Sequence, residues 1–258
     1  MPEEQRIERG DKTRNVAGTA TFIGLRALDP LLQYQILGNG LADGLVTTLG
    51  GSIVAQGPTF SPYTGFSYID NLGLPPYRII LLSMATGSSI KHIIWKAFIG
   101  EENMSPKFAG FVGIFNTVFN TLNSVFFITR ALSPADGRGE GPHWPGWPGA
   151  RLIAGVGLFV AGITIEMAAE LQRKAFKRKP ENQGKPHTNG LFGLVKHPNY
   201  TGYTLWRTGY AIAAGGWVWG AVQAGFFGYD FATRAAPTLN EYCEQRVSQI
   251  EWAALEPS

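Results

Sequence analysis

The sequence predicts an all-α fold, a polytopic transmembrane helical bundle of five or six spans with a cofactor pocket in the C-terminal half. Three observations lead there. Only 16% of the 258 residues are Asp, Glu, Lys or Arg, and they cluster at the N-terminus, around residues 173–185 and at the C-terminus. Long, nearly uncharged stretches separate the clusters, as in chains that cross a bilayer several times. The most basic segment directly follows an apolar run, so cations gather where a membrane would end. Whole-chain averages hide this blocking, since 45% hydrophobic residues and a mean hydropathy of -0.02 are ordinary for a soluble protein.

Residues 1–16, MPEEQRIERGDKTRNV, alternate in sign and lack a signal peptide's apolar core. They are expected to form a disordered cytosolic tail. Residues 17–148 then supply the N-terminal transmembrane helices on the substrate side, and residues 149–258 the cofactor-binding region. Candidate spans fall at residues 30–56, 77–99, 108–129 and 149–172, each long enough for the roughly 20 residues a helix needs to cross the hydrocarbon core. Residues 201–234 are apolar and aromatic with Gly215-Gly216 at their centre, which predicts a helical hairpin or one span with a re-entrant turn.

A soluble helical protein with buried helices is the competing reading. Against it stand the all-round apolarity of residues 108–129 and the glycines spread along residues 149–172, which let helix backbones approach closely in lipid. The runs are too long and too weakly alternating for barrel strands. Arg173, Lys174, Lys177, Arg178, Lys179 and Lys185 make the connection after residue 172 the most basic in the chain, so it should be cytosolic. Four preceding helices put the N-terminus on the same side.

Several chemistries are disfavoured. The single cysteine, Cys243, excludes an intrachain disulfide and a cysteine-cluster metal site. His92, His143, His187 and His197 show no H-x-x-x-H or H-E-x-x-H spacing, so no metal is expected. Neither a Rossmann nor a P-loop fingerprint occurs. No nucleic-acid partner is expected; membrane lipids and a lipophilic small molecule are, and the oligomeric state is not legible.

The residues that remain point to a site at the membrane boundary. Arg173 and Lys177 share a helical face, as do Gln172 and Phe176. Two cations one turn apart match a phosphate, although anchors that snorkel to headgroups look the same. After a Gly/Pro/Asn linker, His197, Asn199 and Tyr200 offer donors and acceptors for an amide, a carboxylate or a carbonyl; a helix cap at Asn199 and an interfacial anchor at Tyr200 would look alike. Glu166 lies deeper, and a carboxylate inside a span marks a functional pocket or a buried partner. Asp43, Lys91 and His92 are further ionisable groups within candidate spans, with an Asp43–Lys91 pair as the structural alternative. Glu166, Asp43 and the early-helix Tyr34 are the candidate catalytic acids.

Glu166, Gln172, Phe176, Pro180, Gly190-Leu191-Phe192 and Lys196-His197-Pro198-Asn199-Tyr200 with Gly202 resemble the C-terminal signature of the steroid 5α-reductase-like membrane proteins. That superfamily includes sterol reductases and isoprenylcysteine carboxyl methyltransferases. The resemblance covers roughly the last third of the chain. It implies that Gln172, Arg173, Phe176, Lys177, His197, Asn199, Tyr200 and Glu241 bind the cofactor. Val247-Ser248 departs from the Tyr-Gly that often follows the E-x-Y-C element, which puts closure over the cofactor in question.

The implied activity is NADPH-dependent reduction of an activated C=C bond in a sterol, terpenoid or polyketide-like lipid. An S-adenosylmethionine-dependent methyltransferase of the isoprenylcysteine or phospholipid type is the alternative, and a non-catalytic membrane scaffold the third. By analogy with lipid reductases the expected location is the endoplasmic reticulum membrane, with N-terminus and cofactor site cytosolic.

Overall fold

The computed structural model describes residues 11–55, 65–133, 149–182 and 185–241. Among them the fold is all-α, with no strand and one isolated bridge between Ile53 and Thr129. Helix α1 spans Val16–Asn39, opened by the Asn15 side chain accepting from the Gly18 N–H at 2.9 Å and closed by Gly40 at φ 70°. This corrects the expected first span at residues 30–56. Arg26 and Asp29 look like a charged break in the sequence, but they pair three residues apart and are fully buried, so the helix runs straight through them and through Pro30.

After Gly40, the short α2 (Asp43–Thr48) carries Asp43, which therefore lies beyond the first long helix. The four-residue α3 (Ser67–Asp70) precedes α4 (Pro76–Ile94), whose last turn widens into a π-helical turn at Trp95–Ile99. Ser105 caps α5 (Pro106–Ile128) by accepting from the Phe108 N–H at 3.2 Å, with Pro106 in the first turn where its missing N–H costs nothing. Helix α6 covers Ala150–Lys177, extending the expected fourth span through the basic run as far as Lys177. A single-turn α7 (Leu191–Leu194) leads to α8, Pro198–Asp230.

Gly216 interrupts α8 at φ 78° and ψ -173°, a conformation that L side chains rarely adopt. The chain reverses there. Tyr200 stacks on Phe231 at 4.6 Å, Tyr203 meets Phe227 at 5.2 Å, and Ile212 packs over Gly220. Residues 198–215 are thus the outgoing limb of a helical hairpin and residues 217–230 its return limb. A π-helical turn (Phe231–Ala235) and a further helical turn to Glu241 follow.

The long helices run antiparallel between two ends. At one end lie the starts of α1 and α5, the ends of α4 and α6, and both ends of the α8 hairpin: Gly18 abuts Met104, Asn103 hydrogen bonds Asp11, and Lys174 bonds the Phe98 carbonyl. We call this the basic end. At the other, Arg78 donates to the carbonyls of Leu37 and Val54. Gly155 and Gly162 of α6 face Gly209 and Gly202 of α8 so closely that an added Cβ would strike opposing backbone. Among the described residues two helices, α5 and α6, are long and apolar enough to cross a membrane, and their outward faces expose Phe111, Ile114 and Val118, and Ile153 and Val160.

Candidate functional site

Two polar constellations occupy the bundle. In the middle, Glu166 accepts from Lys91 of α4 through one oxygen and from the Trp206 indole of α8 at 2.7 Å through the other. All three residues are buried, and the Lys91 ammonium lies 5.3 Å from the Trp206 ring and 5.4 Å from the Tyr203 ring. The partner of Lys91 is therefore Glu166 and not Asp43. His92, next along α4, sits edge-on to Phe22 and Trp206.

A second layer of the same core went unread in the sequence. Asp29 accepts from Arg26 at 3.1 Å, Gln33 at 2.9 Å, Ser89 at 3.2 Å and Asn120 at 2.6 Å, joining α1, α4 and α5. Asn116 and Asn120 in turn accept from Arg207 of α8, whose Nε also donates to the Tyr203 hydroxyl at 3.2 Å. Every one of these groups except Tyr203 is at most 2% exposed. A signal was present: Asn116, Asn120 and Asn123 recur at the spacing of one helix face.

The second constellation is at the basic end. Glu170, one turn beyond Glu166, accepts from Trp95 at 3.3 Å, from Asn199 at 3.1 Å and from Arg173. Gln172 accepts from the Leu191 N–H at 3.0 Å, which pins the 185–197 loop onto α6. Gly190 at φ 62° makes this approach possible, because a Cβ there would come within 2.6 Å of the Gln172 side-chain oxygen. A cavity of about 310 Å³ opens beside them, lined by Gln172, Phe176, Lys179, Asn182, His187 and Gly190. That is at the lower end of the roughly 300–1,000 Å³ of small-molecule sites.

The cavity wall fits an aromatic, polar ligand such as a nucleotide. The His187 imidazole lies 4.5 Å from Phe176 and 4.9 Å from Phe192, and among the described residues neither of its buried nitrogens has a hydrogen-bond partner. His197 Nε2 is likewise buried without a partner among the described residues, with its ring 5.3 Å from Tyr200. Burial, reinforced by Lys196, holds the His197 imidazole below its usual range. Elsewhere at the basic end, Lys12 bonds Glu101 at 2.9 Å, and that contact, against a smaller opposing effect of burial, keeps the Glu101 carboxyl below the usual carboxylate range.

Of the sequence-predicted residues, the structure gathers Gln172, Arg173, Phe176, Lys177, His197, Asn199 and Tyr200 at the basic end, where α6 finishes and α8 starts. Glu166 lies deeper on α6. Tyr34 and Asp43 are not with it: the Tyr34 hydroxyl donates to the Leu72 carbonyl and Asp43 adjoins Gly40, both at the opposite end. Glu241 is exposed and is the last described residue. Residues 1–10 of the expected tail, His143, Cys243 and the altered Val247-Ser248 lie outside the described residues. No cluster of potential metal ligands occurs among those described.

Residues 105–250 match the family described as "Protein of unknown function (DUF1295)". The chain is 40% identical over 242 residues to the probable O-methyltransferase ustE of Ustilaginoidea virens, covering 94% of this chain and 84% of that protein. It is 34% identical over 98 residues to the steroid 5-alpha-reductase DET2 of Gossypium hirsutum, covering 37% of this chain and 36% of that one. No solved structure matches significantly. The family match spans more than half of the chain and includes Glu166, the basic end of α6 and the whole α8 hairpin, so the protein belongs to the DUF1295 family of steroid 5α-reductase-like proteins.

Proposed function

We propose that this protein is a membrane-embedded reductase that uses NADPH to saturate an activated C=C bond in a lipophilic substrate. The observation that carries the reading is the buried Lys91–Glu166–Trp206 cluster, whose Glu166 lies on the helix that also lines the cavity at the basic end. Glu166 and Gln172 are six residues apart, about 9 Å of helical rise. A donor held at the basic end thus lies within reach of a carbonyl at Lys91.

The residues divide the work by depth. Gln172, Arg173, Phe176, Lys177, His197, Asn199, Tyr200 and Glu241 hold the cofactor, which when bound supplies hydride. His187 and Lys179 join them on the cavity wall. Lys91 spends one N–H on Glu166 and presents the others toward the Tyr203 and Trp206 rings, so it can polarise a conjugated carbonyl. Glu166 aims that ammonium through their hydrogen bond, and the surrounding rings exclude water. Tyr34 and Asp43 take no part in this arrangement.

Helices α1, α4, α5 and α6 and the two limbs of α8 then form six passes, with residues 17–148 on the substrate side and residues 149–258 holding the cofactor. Lysine and arginine at the end of α6 support a cytosolic cofactor face, and the proposed location is a membrane such as the endoplasmic reticulum. Thermal unfolding tests the cofactor directly, because a ligand at 100 times its dissociation constant adds about 2.7 kcal/mol. We expect protection by NADPH; protection by S-adenosylmethionine alone would reject the reductase. A methyltransferase is the second reading, favoured by the name of the relative that covers 94% of this chain.

A further inference from the structure

Three cations lie in the middle of the bundle, and they are not equally neutralised. Arg26 pairs with Asp29 and Lys91 with Glu166. Arg207 is fully buried, yet among the described residues its hydrogen-bond acceptors are the neutral oxygens of Asn116, Asn120 and Tyr203. A guanidinium carries five N–H donors, so three acceptors leave two N–H unspent.

The rings of Trp206 at 4.3 Å, Tyr203 at 5.4 Å, Phe119 at 5.6 Å and Phe227 at 5.7 Å surround the guanidinium. Ring faces attract a cation, but each does so less strongly than a charge-assisted hydrogen bond to a carboxylate. Buried charges in proteins are ordinarily paired with opposite charge. Among the described residues the buried Nε of Arg26 also lacks a partner.

We propose that Arg207 is a substrate-recognition residue that binds a carboxylate on an otherwise lipophilic substrate. The proposal rests on the reading that the bundle core receives the substrate, and it specifies the substrate class as an acid instead of a neutral sterol. Lys91, already neutralised by Glu166, remains free to polarise a separate carbonyl of the same molecule. Arg207 is then a specificity residue outside the group that holds the cofactor.

The test compares binding of 4-hexylbenzoate and its uncharged methyl ester to the purified full-length protein in detergent, by equilibrium dialysis at neutral pH. The wild type is expected to prefer the acid at least tenfold. Arg207→Gln should remove that preference while keeping ester binding, and Arg207→Lys should keep part of it. Asn116→Asp provides a variant independent of losing the arginine. It sets a carboxylate against Arg207 within the fold, so it should raise the melting temperature and abolish acid preference. Equal binding of acid and ester by the wild type, absence of binding by both, or an acid preference that survives Asn116→Asp would each overturn the proposal. Protection by NADPH is measured without these probes, so the reductase reading stands or falls separately.

Discussion

Glu170 of α6 and Asn199 of α8 hydrogen bond at 3.1 Å, and this contact ties the start of the α8 hairpin to the helix that carries the basic run. The carboxylate also accepts from Trp95 and Arg173, so three elements converge on one buried acid. Two residues expected to touch the cofactor, Arg173 and Asn199, are therefore positioned by one carboxylate, while Lys174 reaches the Phe98 carbonyl.

Replacing Asn199 by Ala removes a donor to a buried carboxylate. The expected loss is about 1.5–3 kcal/mol of stability, the range for hydrogen bonds to charged groups, accompanied by weaker nucleotide binding. Denaturant unfolding in detergent and a nucleotide titration measure the two effects. Unchanged unfolding would show that Glu170 does not depend on Asn199.

Glu166→Gln leaves the Lys91 ammonium buried without its counter-ion. Breaking such a pair costs about 3–5 kcal/mol, whereas replacing both partners by apolar groups is often neutral. The double substitution Lys91→Met with Glu166→Leu should therefore regain most of the stability lost by the single one, yet have no measurable turnover. Turnover in a folded double variant would remove the pair from the chemistry.

Acid should weaken the basic end in two separate windows. His197 has a lowered folded value, so the unfolded chain takes up its proton first; stability is unaffected above about pH 6.5 and falls as pH drops through it. Glu101 is also lowered, and its contribution is present above its unfolded value near 4.5 and is lost as pH falls through the folded value. Melting temperature should begin to fall near pH 6.5 in the wild type, and His197→Asn should lessen that first decline while leaving the more acidic one. A decline of the same shape in both proteins would assign it elsewhere.

Gly202→Ala should separate α6 from α8. An added Cβ lies 2.5 Å from the Glu166 nitrogen and 2.8 Å from the Gly162 carbonyl oxygen, and both are backbone atoms that cannot rotate away. Overpacking of this kind costs about 1–3 kcal/mol, and the displaced atom belongs to Glu166 itself. Gly225→Ala, with nothing within 4 Å, is the control and should be close to neutral. Comparable melting temperatures for the two variants would mean that the helix contact yields.

The limits of α5 and much of α6 were legible because α5 carries no charge beyond Lys107 and α6 is uncharged from Leu152 to Ile165. Gly215-Gly216 likewise announced the hairpin, since a backbone at positive φ needs glycine. The first helix was misplaced for the opposite reason: Arg26, Asp29 and Pro30 together read as a boundary, and only tertiary packing shows that Asp29 has four donors waiting on α1, α4 and α5. Lys91 was read as a cation within a candidate span, but its partner lies 75 residues away on α6. Spacing along a chain cannot reveal such a pair. Arg207 was hidden for the same reason, although the asparagine stripe on α5 marks the face that receives it.

The burial of Asp29 also bears on how the chain is made. Its donor Asn120 lies 91 residues downstream, so at roughly 5–20 residues per second synthesis needs about 5–18 s to supply it. On the six-pass reading proposed above, α1 carries, until α5 emerges, an arginine and an aspartate that hydrocarbon tolerates poorly. On that reading the first helix waits at the insertion machinery, or at the bilayer surface, for its later partners. Ribosomes stalled between α4 and α5 should hold a nascent chain whose first helix remains extractable by alkaline carbonate.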